Sequence, residues 1–354
     1  MPVCWVREDL TLVVRMFTIK EYTTTFKGNT MCGMLPGQLS TLMVVCIMLG
    51  WNAELFGQGA ATVRPAGAKP PAAKPAAGKK DDKPKFEVVT IETKDGVRLR
   101  AAFFPSDKKK EAVPVMMVHE WRGNASPYME LAALLQAEGY AVLLPNLRGH
   151  GSSMIYLDAE MKPQEFDIEK LGPKDVKLML AADLESCKAF LKQQNDQGRL
   201  NLNALTVLGI GEGAVLAAAW AVNDWNFPSV GRRKQGQDVK AMVLISPQQN
   251  HRGLRIETMF RDRFVPQLPI LLVAGKGSPE QSNAESIHRR LEAIKRRGSR
   301  GDVSGLTLHL SSASLSGPEL VRSDPSASQA IIAFMKDTFS GPKMLQHPWE
   351  QRDR

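Results

Sequence analysis

The pattern of apolar and polar positions from residue 86 onward predicts an α/β domain. Residues 86–93 and 97–104 alternate between apolar and polar side chains on either side of Asp95-Gly96, which predicts an antiparallel hairpin. Continuous apolar runs follow, separated by stretches of helical periodicity, as is typical of buried parallel strands connected by helices. The predicted strands are 113–118, 141–144, 205–208, 241–245, 270–273 and 306–310, and the predicted helices are about 127–138, 174–193, 213–223, 281–296 and 326–339. This alternation predicts a mostly parallel, doubly wound sheet with helices on both faces and antiparallel strands at its N-terminal end.

The first 85 residues have a different character. Residues 39–51 form an apolar run of thirteen, which matches the core of a signal peptide and is too short to cross a bilayer. Residues 1–61 are therefore predicted to be an N-terminal extension with a signal peptide, cleaved near Ala61, that exports the protein to the periplasm or the medium. An uncleaved segment that tethers the protein to a membrane is the alternative. Residues 62–85 are rich in Ala, Pro, Gly and Lys and predict a linker, followed by a domain at 86–340 and a polar tail at 341–354.

Composition and charge exclude several classes of function. The chain has 354 residues, of which 43% are apolar and 23% are charged, as in ordinary globular proteins. Only Cys187 of the four cysteines lies in the predicted domain, so neither a disulfide framework nor a thiolate metal site is expected. The net charge of +9 is concentrated in the linker and one helix without interleaved aromatic residues. Specific nucleic-acid binding is therefore not predicted; weak contact of the basic linker with an anionic surface is the alternative, and the oligomeric state is left open.

Three segments of the predicted domain resemble loops of the α/β-hydrolase superfamily. They read Val118-His119-Glu120-Trp121-Arg122-Gly123-Asn124, Pro145-Asn146-Leu147-Arg148-Gly149-His150-Gly151-Ser152-Ser153 and Leu205-Thr206-Val207-Leu208-Gly209-Ile210-Gly211-Glu212-Gly213-Ala214. The His-Glu pair is most similar to the dienelactone-hydrolase branch. The resemblance implies an α/β-hydrolase fold over about 250 residues, and the short connection after Ser246 leaves no room for a lid domain.

The resemblance also implies a catalytic triad, and this chain departs from it at all three positions. Gly211 stands where the nucleophile belongs on the turn between strand and helix, Ser278 stands where the carboxylate belongs, and Leu315 or a neighbour replaces the histidine. Glu280 is close enough in sequence to substitute for the carboxylate. His309 lies earlier, inside a strand, where a packed side chain is expected. The domain is therefore predicted to lack ordinary acyl-transfer activity.

The residues that remain near this turn predict a binding site. The backbone amides of Glu212 and of the loop around Trp121 would converge at a helix N-terminus, which favours an anion. The predicted ligand-binding residues are His119, Glu120, Trp121, Gly211 and Glu212, and the predicted ligand is small and anionic or ester-like. The function predicted is that of an exported pseudo-hydrolase that binds a small ligand or a partner.

The same residues allow two further interpretations. The first is an active ester hydrolase that uses Glu212, His119 and His150 in place of the triad. The second is a dinucleotide site, because residues 209–214 formally match Gly-x-Gly-x-x-Ala. Several strands precede this turn, and no acidic residue ends the next strand, so no cofactor is predicted. A metal is not predicted either, because the His119-Glu120 pair has no suitably spaced third ligand.

Overall fold

The computed structural model of the chain describes residues 85–158, 160–231, 234–298 and 302–352. The predicted signal peptide and almost all of the predicted linker lie outside these residues. The strands are β1 (Glu87–Glu92), β2 (Arg98–Phe104), β3 (Pro114–Val118), β4 (Ala141–Pro145), β5 (Ile155–Leu157), β6 (Pro163–Glu165), β7 (Leu205–Ile210), β8 (Val239–Ile245), β9 (Asn250–His251), β10 (Leu254–Arg255), β11 (Ile270–Gly275) and β12 (Leu306–Ser311). The α-helices are α1 (Met129–Ala137), α2 (Pro173–Leu178), α3 (Glu185–Asp196), α4 (Glu212–Asn226), α5 (Ile256–Met259), α6 (Gln281–Gly298), α7 (Gly317–Ser323) and α8 (Pro325–Phe339).

An eight-stranded sheet forms the centre of the described residues, with the order β1-β2-β4-β3-β7-β8-β11-β12. The six strands from β4 to β12 run parallel, whereas β1 and β2 are antiparallel to their neighbours. The predicted mixed sheet, with antiparallel strands at its N-terminal end, is therefore confirmed. Because the carboxyl ends of parallel strands meet at one edge, the loops after β3, β4, β7, β8 and β11 lie together.

The core has two halves, one on each face of the sheet. Side chains point alternately to the two faces along each buried strand, so Met116 and Val118 of β3 belong to one half and Val115 and Met117 to the other. The first half is completed mainly by α3, α4 and α6, and the second by α1, α7 and α8. Burial on both faces explains why the parallel strands are apolar without alternation.

Some local structure differs from the sequence-based expectation. The single helix predicted at 174–193 is α2, a π-helical segment at Met179–Leu184, and α3 in succession. Two short hairpins, β5–β6 and β9–β10, and the helix α7 were not predicted. These elements are short and mostly polar, so they carry little of the periodicity by which longer elements are predicted.

The polar segment after α8 packs on the domain as far as Arg352. Gly341–Gln346 forms a 3₁₀ helix, and the following backbone accepts hydrogen bonds from Asn201 and Asn203. The Arg352 guanidinium pairs with the buried carboxylate of Asp238. Charge pairing and amide contacts hold this segment together with the packing of Met344 against the apolar core.

None of the helices in the described residues is long and apolar enough to cross a membrane.

Candidate functional site

The turn between β7 and α4 has the geometry of a nucleophile elbow. Gly211 has φ +57° and ψ −121°, a strained conformation at the point where the chain passes from strand to helix. A Cβ atom at Gly209 would lie 2.5 Å from the Gly213 carbonyl oxygen, and one at Gly213 would lie 2.3 Å from the Val118 carbonyl oxygen. Only glycine fits at both flanking positions. The turn therefore keeps its shape while Gly211 offers no nucleophilic atom.

One of the two amide groups predicted to converge on an anion is already occupied. The Trp121 N–H, in the loop after β3, donates to Glu212 Oε2 at 3.3 Å. Glu212 is the first residue of α4, where a carboxylate also interacts favourably with the helix dipole. The chain thus places its own carboxylate where the sequence predicts binding of a ligand anion.

Glu120 is the second acidic residue near the elbow. Its Cβ lies close to Gly211, and its carboxyl group lies beside Gly123 and Tyr128. A Cβ atom at Gly211 would be 3.0 Å from Glu120 Cβ, so a larger residue at position 211 requires this side chain to move. The Tyr128 hydroxyl donates to Glu120 Oε2. Burial raises the pKa of Glu120, and the charge of Glu212 raises it further, although the bond from Tyr128 opposes both. The Cβ of Glu120 therefore crowds position 211, and the Glu120 carboxyl group lies within electrostatic reach of Glu212.

Both ring nitrogens of His119 form hydrogen bonds with backbone groups. Its Nδ1–H donates to the Glu120 carbonyl oxygen at 2.7 Å, and its Nε2 accepts from the Leu147 N–H at 3.1 Å. Burial lowers the pKa of this imidazole to about 4, so the ring is neutral near pH 7. With no free lone pair, His119 braces the loops after β3 and β4 and cannot take a proton from a substrate.

His150 is different, because one of its ring nitrogens is free. Its Nδ1–H donates to the Arg148 carbonyl oxygen at 2.8 Å, whereas its buried Nε2 has no hydrogen-bond partner. Burial lowers the pKa of His150, which keeps Nε2 unprotonated and able to accept. Its ring centroid lies 4.8 Å from that of Trp121.

Trp121 is the centre of a group that we call the Trp121 cluster, formed by Trp121, His150, His251 and Arg252. The His251 ring lies 4.9 Å from the Trp121 ring, and the Arg252 guanidinium carbon lies 4.4 Å from the same ring. Trp121 Nε1 and His251 Nε2 are buried without hydrogen-bond partners, as is His150 Nε2. Burial lowers the pKa of His251 and the Glu212 charge opposes this, which places Glu212 beside the cluster. Three unsatisfied polar atoms around one indole are costly unless water or a ligand meets them.

The other two triad positions carry no replacement base. Ser278 Oγ is buried without a hydrogen-bond partner, and Ser316 donates to Glu280 Oε2. Gln248 Nε2 donates to Glu280 Oε1 at 3.5 Å, and the Gln248 N–H donates to the Gly211 carbonyl at 3.2 Å. Leu315 packs against the apolar core. Glu280 thus lies in the loop cluster of the triad and contacts a hydroxyl and an amide instead of an imidazole.

His309 lies outside the site. It is on β12, and its Nε2 lies 3.3 Å from the Ser326 hydroxyl on α8. This contact is with the helix layer, as expected for a packed strand histidine.

The structure brings together five predicted ligand-binding residues, His119, Glu120, Trp121, Gly211 and Glu212, with His150 beside them. Sequence reasoning missed His251, which follows β8 in a short polar hairpin that matches no motif. The sequence signal that could have identified His251 is its position after β8, the strand that neighbours β7 in the sheet. In the residues that the structure describes, no three or more His, Cys, Asp or Glu side chains are placed to hold a metal ion.

Comparison with known proteins identifies the fold. No protein-family model matches the chain, and no curated protein matches it in sequence. An esterase of Pyrococcus furiosus superposes with a TM-score of 0.50 at 16% identity, covering 76% of this chain and 96% of the esterase. A dienelactone hydrolase of Anabaena variabilis gives 0.42 at 16% identity, covering 72% and 97% of the two chains. A CIB-like hydrolase of Thermoplasma acidophilum gives 0.46 at 12% identity, covering 72% and 99%.

The protein therefore has the α/β-hydrolase fold. The strand order and the elbow turn agree with the similarity to the esterase, and at these identities the similarity shows the fold alone.

Proposed function

We propose that this protein is a pseudo-hydrolase that binds a small ligand at the carboxyl edge of the sheet and does not carry out acyl transfer. The observation that carries the proposal is the bond from the Trp121 N–H to the Glu212 carboxylate. An oxyanion hole works because its donors are free and aimed at the developing charge. Here the Trp121 N–H, one of the two donors, is already bonded to Glu212, and Gly211 has no nucleophilic atom.

The sequence predicts a ligand that is anionic or ester-like, and of these two alternatives we propose the uncharged one. A small anion would have to displace Glu212 from the Trp121 amide, and its charge would then lie near the carboxyl groups of Glu212 and Glu120, which interact with each other. Like charges this close in a partly buried site repel each other strongly. An ester-like or amide-like molecule without formal charge avoids that repulsion.

The unsatisfied atoms of the Trp121 cluster define what such a ligand must offer. Trp121 Nε1–H requires an acceptor, whereas His150 Nε2 requires a donor. One hydroxyl group can meet both requirements, since it donates one hydrogen bond and accepts others. The proposed ligand is therefore a small neutral molecule that carries hydroxyl or primary amide groups.

A binding screen with neutral polyols, sugars and small amides tests this proposal. Trp121→Phe keeps the aromatic ring and removes its donor, so binding should weaken by about tenfold, the equivalent of one hydrogen bond. Trp225→Phe is the matched control, because the Trp225 indole donates to the Val239 carbonyl and lies outside the cluster. Equal affinities in both variants, or binding of small carboxylates in preference to neutral ligands, would contradict the proposal.

The loss of acyl transfer is tested separately by restoring the triad. Gly211→Ser, Ser278→Asp and Leu315→His together supply the missing side chains. The combined variant should show no ester hydrolysis above background, because Glu212 still occupies the Trp121 amide and the Cβ of Glu120 still crowds position 211. Rapid turnover by this variant would show that only the triad is missing.

An active hydrolase with non-standard residues is the second candidate, and one observation favours it. His150 Nε2 is buried, unprotonated and free, which is the state required of a general base. Glu212 is near the same cluster, whereas the contacts of His119 remove it from this role. Hydrolysis of an ester panel by the purified wild-type protein, abolished by His150→Gln but unchanged by His309→Gln, would establish this candidate.

We further propose that the protein is exported. The apolar run at 39–51, the small residues that follow it and the Ala/Pro/Lys-rich linker support this proposal. Expression of the full chain followed by N-terminal sequencing of the extracytoplasmic product should give a start near residue 62. Recovery of all of the protein uncleaved inside the cell would contradict it.

A further inference from the structure

A cavity lies at the amino ends of β7 and β8. It is far from the elbow, which follows the carboxyl end of β7. The cavity has a volume of about 340 Å³. Its lining comes from the turn before β7, the start of β8 and the segment after α8, and consists of Asn203, Lys234, Lys240, Gln346, His347, Pro348 and Glu350. This volume is at the lower end of small-molecule sites, which limits an occupant to metabolite size.

Two lysines of the cavity differ in how their charges are balanced. Lys234 Nζ pairs with Asp238 at 2.9 Å and donates to Asn203 Oδ1 at 2.9 Å. Asp238 is itself shared with Lys188 and Arg352, so one carboxylate faces three cations. Asp224, the remaining carboxylate of this network, is engaged by Lys188 at 2.5 Å.

Lys240 has no carboxylate at salt-bridge distance among the described residues. Its ammonium donates to the Gln237 carbonyl oxygen at 2.8 Å and lies 4.6 Å from the centroid of the Trp225 ring. Burial and the charge of Lys234 lower the pKa of Lys240 to about 8, although the more distant carboxylates of Asp238 and Asp224 oppose this shift. A half-buried ammonium without a counter-ion is a binding element for an anion.

The pKa of His347, which lines the cavity, is affected by the same positive charges. Burial lowers the pKa of His347, and the charges of Lys240 and Lys234 lower it further. Glu350 is the acidic residue of the lining, and it is solvent-exposed, so water screens its charge. The interior of the cavity is therefore positive although its rim carries one carboxylate.

We propose that this cavity binds the phosphate group of a small molecule between Lys240, Lys234 and Asn203. Lysine ammonium groups bind phosphate as point charges, and the phosphate supplies the counter-ion that Lys240 lacks. The amide of Asn203 already donates to the Pro348 carbonyl oxygen, so the segment after α8 forms one wall of the site. This phosphate site shares no residue with the elbow and is independent of the proposed pseudo-hydrolase function.

Titration calorimetry on the full chain tests the proposal with inorganic phosphate and glycerol phosphate as probes. Lys240→Met should weaken binding at least tenfold, whereas Lys177→Met, which removes a charge from an exposed position on α2, should leave it unchanged. Tighter binding of glycerol phosphate identifies a phosphate ester as the ligand, and tighter binding of inorganic phosphate identifies the free ion.

A proton-linkage measurement separates this site from general charge attraction. At pH 8 bound phosphate should draw a proton onto Lys240, so binding heats measured in buffers of different ionisation enthalpy should show proton uptake. Lys240→Arg should retain binding and lose this uptake, because arginine stays protonated. Equal affinity in the wild type and Lys240→Met, or no binding of either probe at millimolar concentration, would overturn the proposal.

Discussion

At the scale of single residues, the buried imidazole of His119 makes the free energy of unfolding depend on pH. The folded protein protonates this buried imidazole only near pH 4, whereas the unfolded chain does so near pH 6.5. Between these values the unfolded state binds more protons, so stability is fully present above pH 6.5 and falls as the pH is lowered toward 4. The difference amounts to about 3 kcal/mol over the whole window.

Urea unfolding at pH 7 and pH 5 measures this dependence. We expect the free energy of unfolding to fall by about 2 kcal/mol from the His119 contribution alone. His119→Gln removes the titrating group, so its pH slope should be shallower by the equivalent of one proton. An unchanged slope in that variant would show that His150, His251 and His347, whose pKa values are also lowered, account for the dependence.

Gly211 provides a second test at this scale, because its backbone strain and its crowding can be separated. Gly211 and Gly253 both have positive φ, but a Cβ atom at Gly253 would meet its nearest neighbour only at 3.9 Å. Gly253→Ala should therefore cost only the backbone strain, about 1 kcal/mol. Gly211→Ala should cost at least about 1 kcal/mol more, because Glu120 must also move. Equal changes in the urea midpoint of the two variants would mean that Glu120 moves aside without a measurable cost in stability.

The sequence predicts which triad side chains are missing, but it does not predict the contacts that surround these positions. Gly211 is placed by the elbow motif, whereas Ser278 and Leu315, or a neighbour of Leu315, are placed only by their positions after the last strands. The bond between Trp121 and Glu212 spans 91 positions in sequence and depends on how two loops meet, so no local pattern predicts it. His251 was missed for the same reason, since its role comes from proximity to Trp121.

At the scale of secondary structure, long buried elements were predictable and short ones were not. The strands β3, β4, β7, β8, β11 and β12 were all expected within a few residues of their bounds, because burial on both faces leaves a continuous apolar run. The hairpin β9–β10 has two residues in each strand, too few to show any period. The π-helical segment is also invisible to a periodicity argument, since it occurs inside an otherwise helical pattern.

That π-helical segment has a definite role in positioning the loop after β4. Its buried Asp183 accepts from the Arg148 side chain at 2.6 and 2.9 Å and from the Arg148 backbone N–H at 3.0 Å. Arg148 also pairs with Asp95, which is partly exposed. The same loop carries His150, so the ion pair links this helix to the Trp121 cluster.

Replacing each carboxylate in turn tests this link. Asp183→Asn leaves part of a buried guanidinium charge uncompensated and should lower the free energy of unfolding by about 3 kcal/mol. Asp95→Asn should cost about 1 kcal/mol, since solvent reaches that side chain. Chemical denaturation gives both values, and a larger effect for Asp95→Asn would contradict the assignment of Asp183 as the main partner.

At the scale of the whole molecule, the ends of the chain should contribute unequally to stability. Residues 347–352 cover Asn201 and Asn203 and bring Arg352 to the buried Asp238, and Trp349 lies 3.8 Å from the Lys110 ammonium. Deleting 347–354 exposes these groups, although Lys188 and Lys234 still neutralise Asp238. The loss should therefore be moderate, about 2 kcal/mol, with an unchanged denaturant m-value because little apolar surface is affected.

Deletion of residues 1–84 is the matched comparison. The composition of the linker predicts no apolar packing against the domain, so this far larger truncation should leave the urea midpoint of the remaining chain unchanged. The short C-terminal deletion should also abolish phosphate binding, because it removes one wall of the lysine-lined cavity, while leaving ligand binding at the Trp121 cluster intact. Loss of both binding activities together would mean that the C-terminal segment supports the whole fold rather than one end of it.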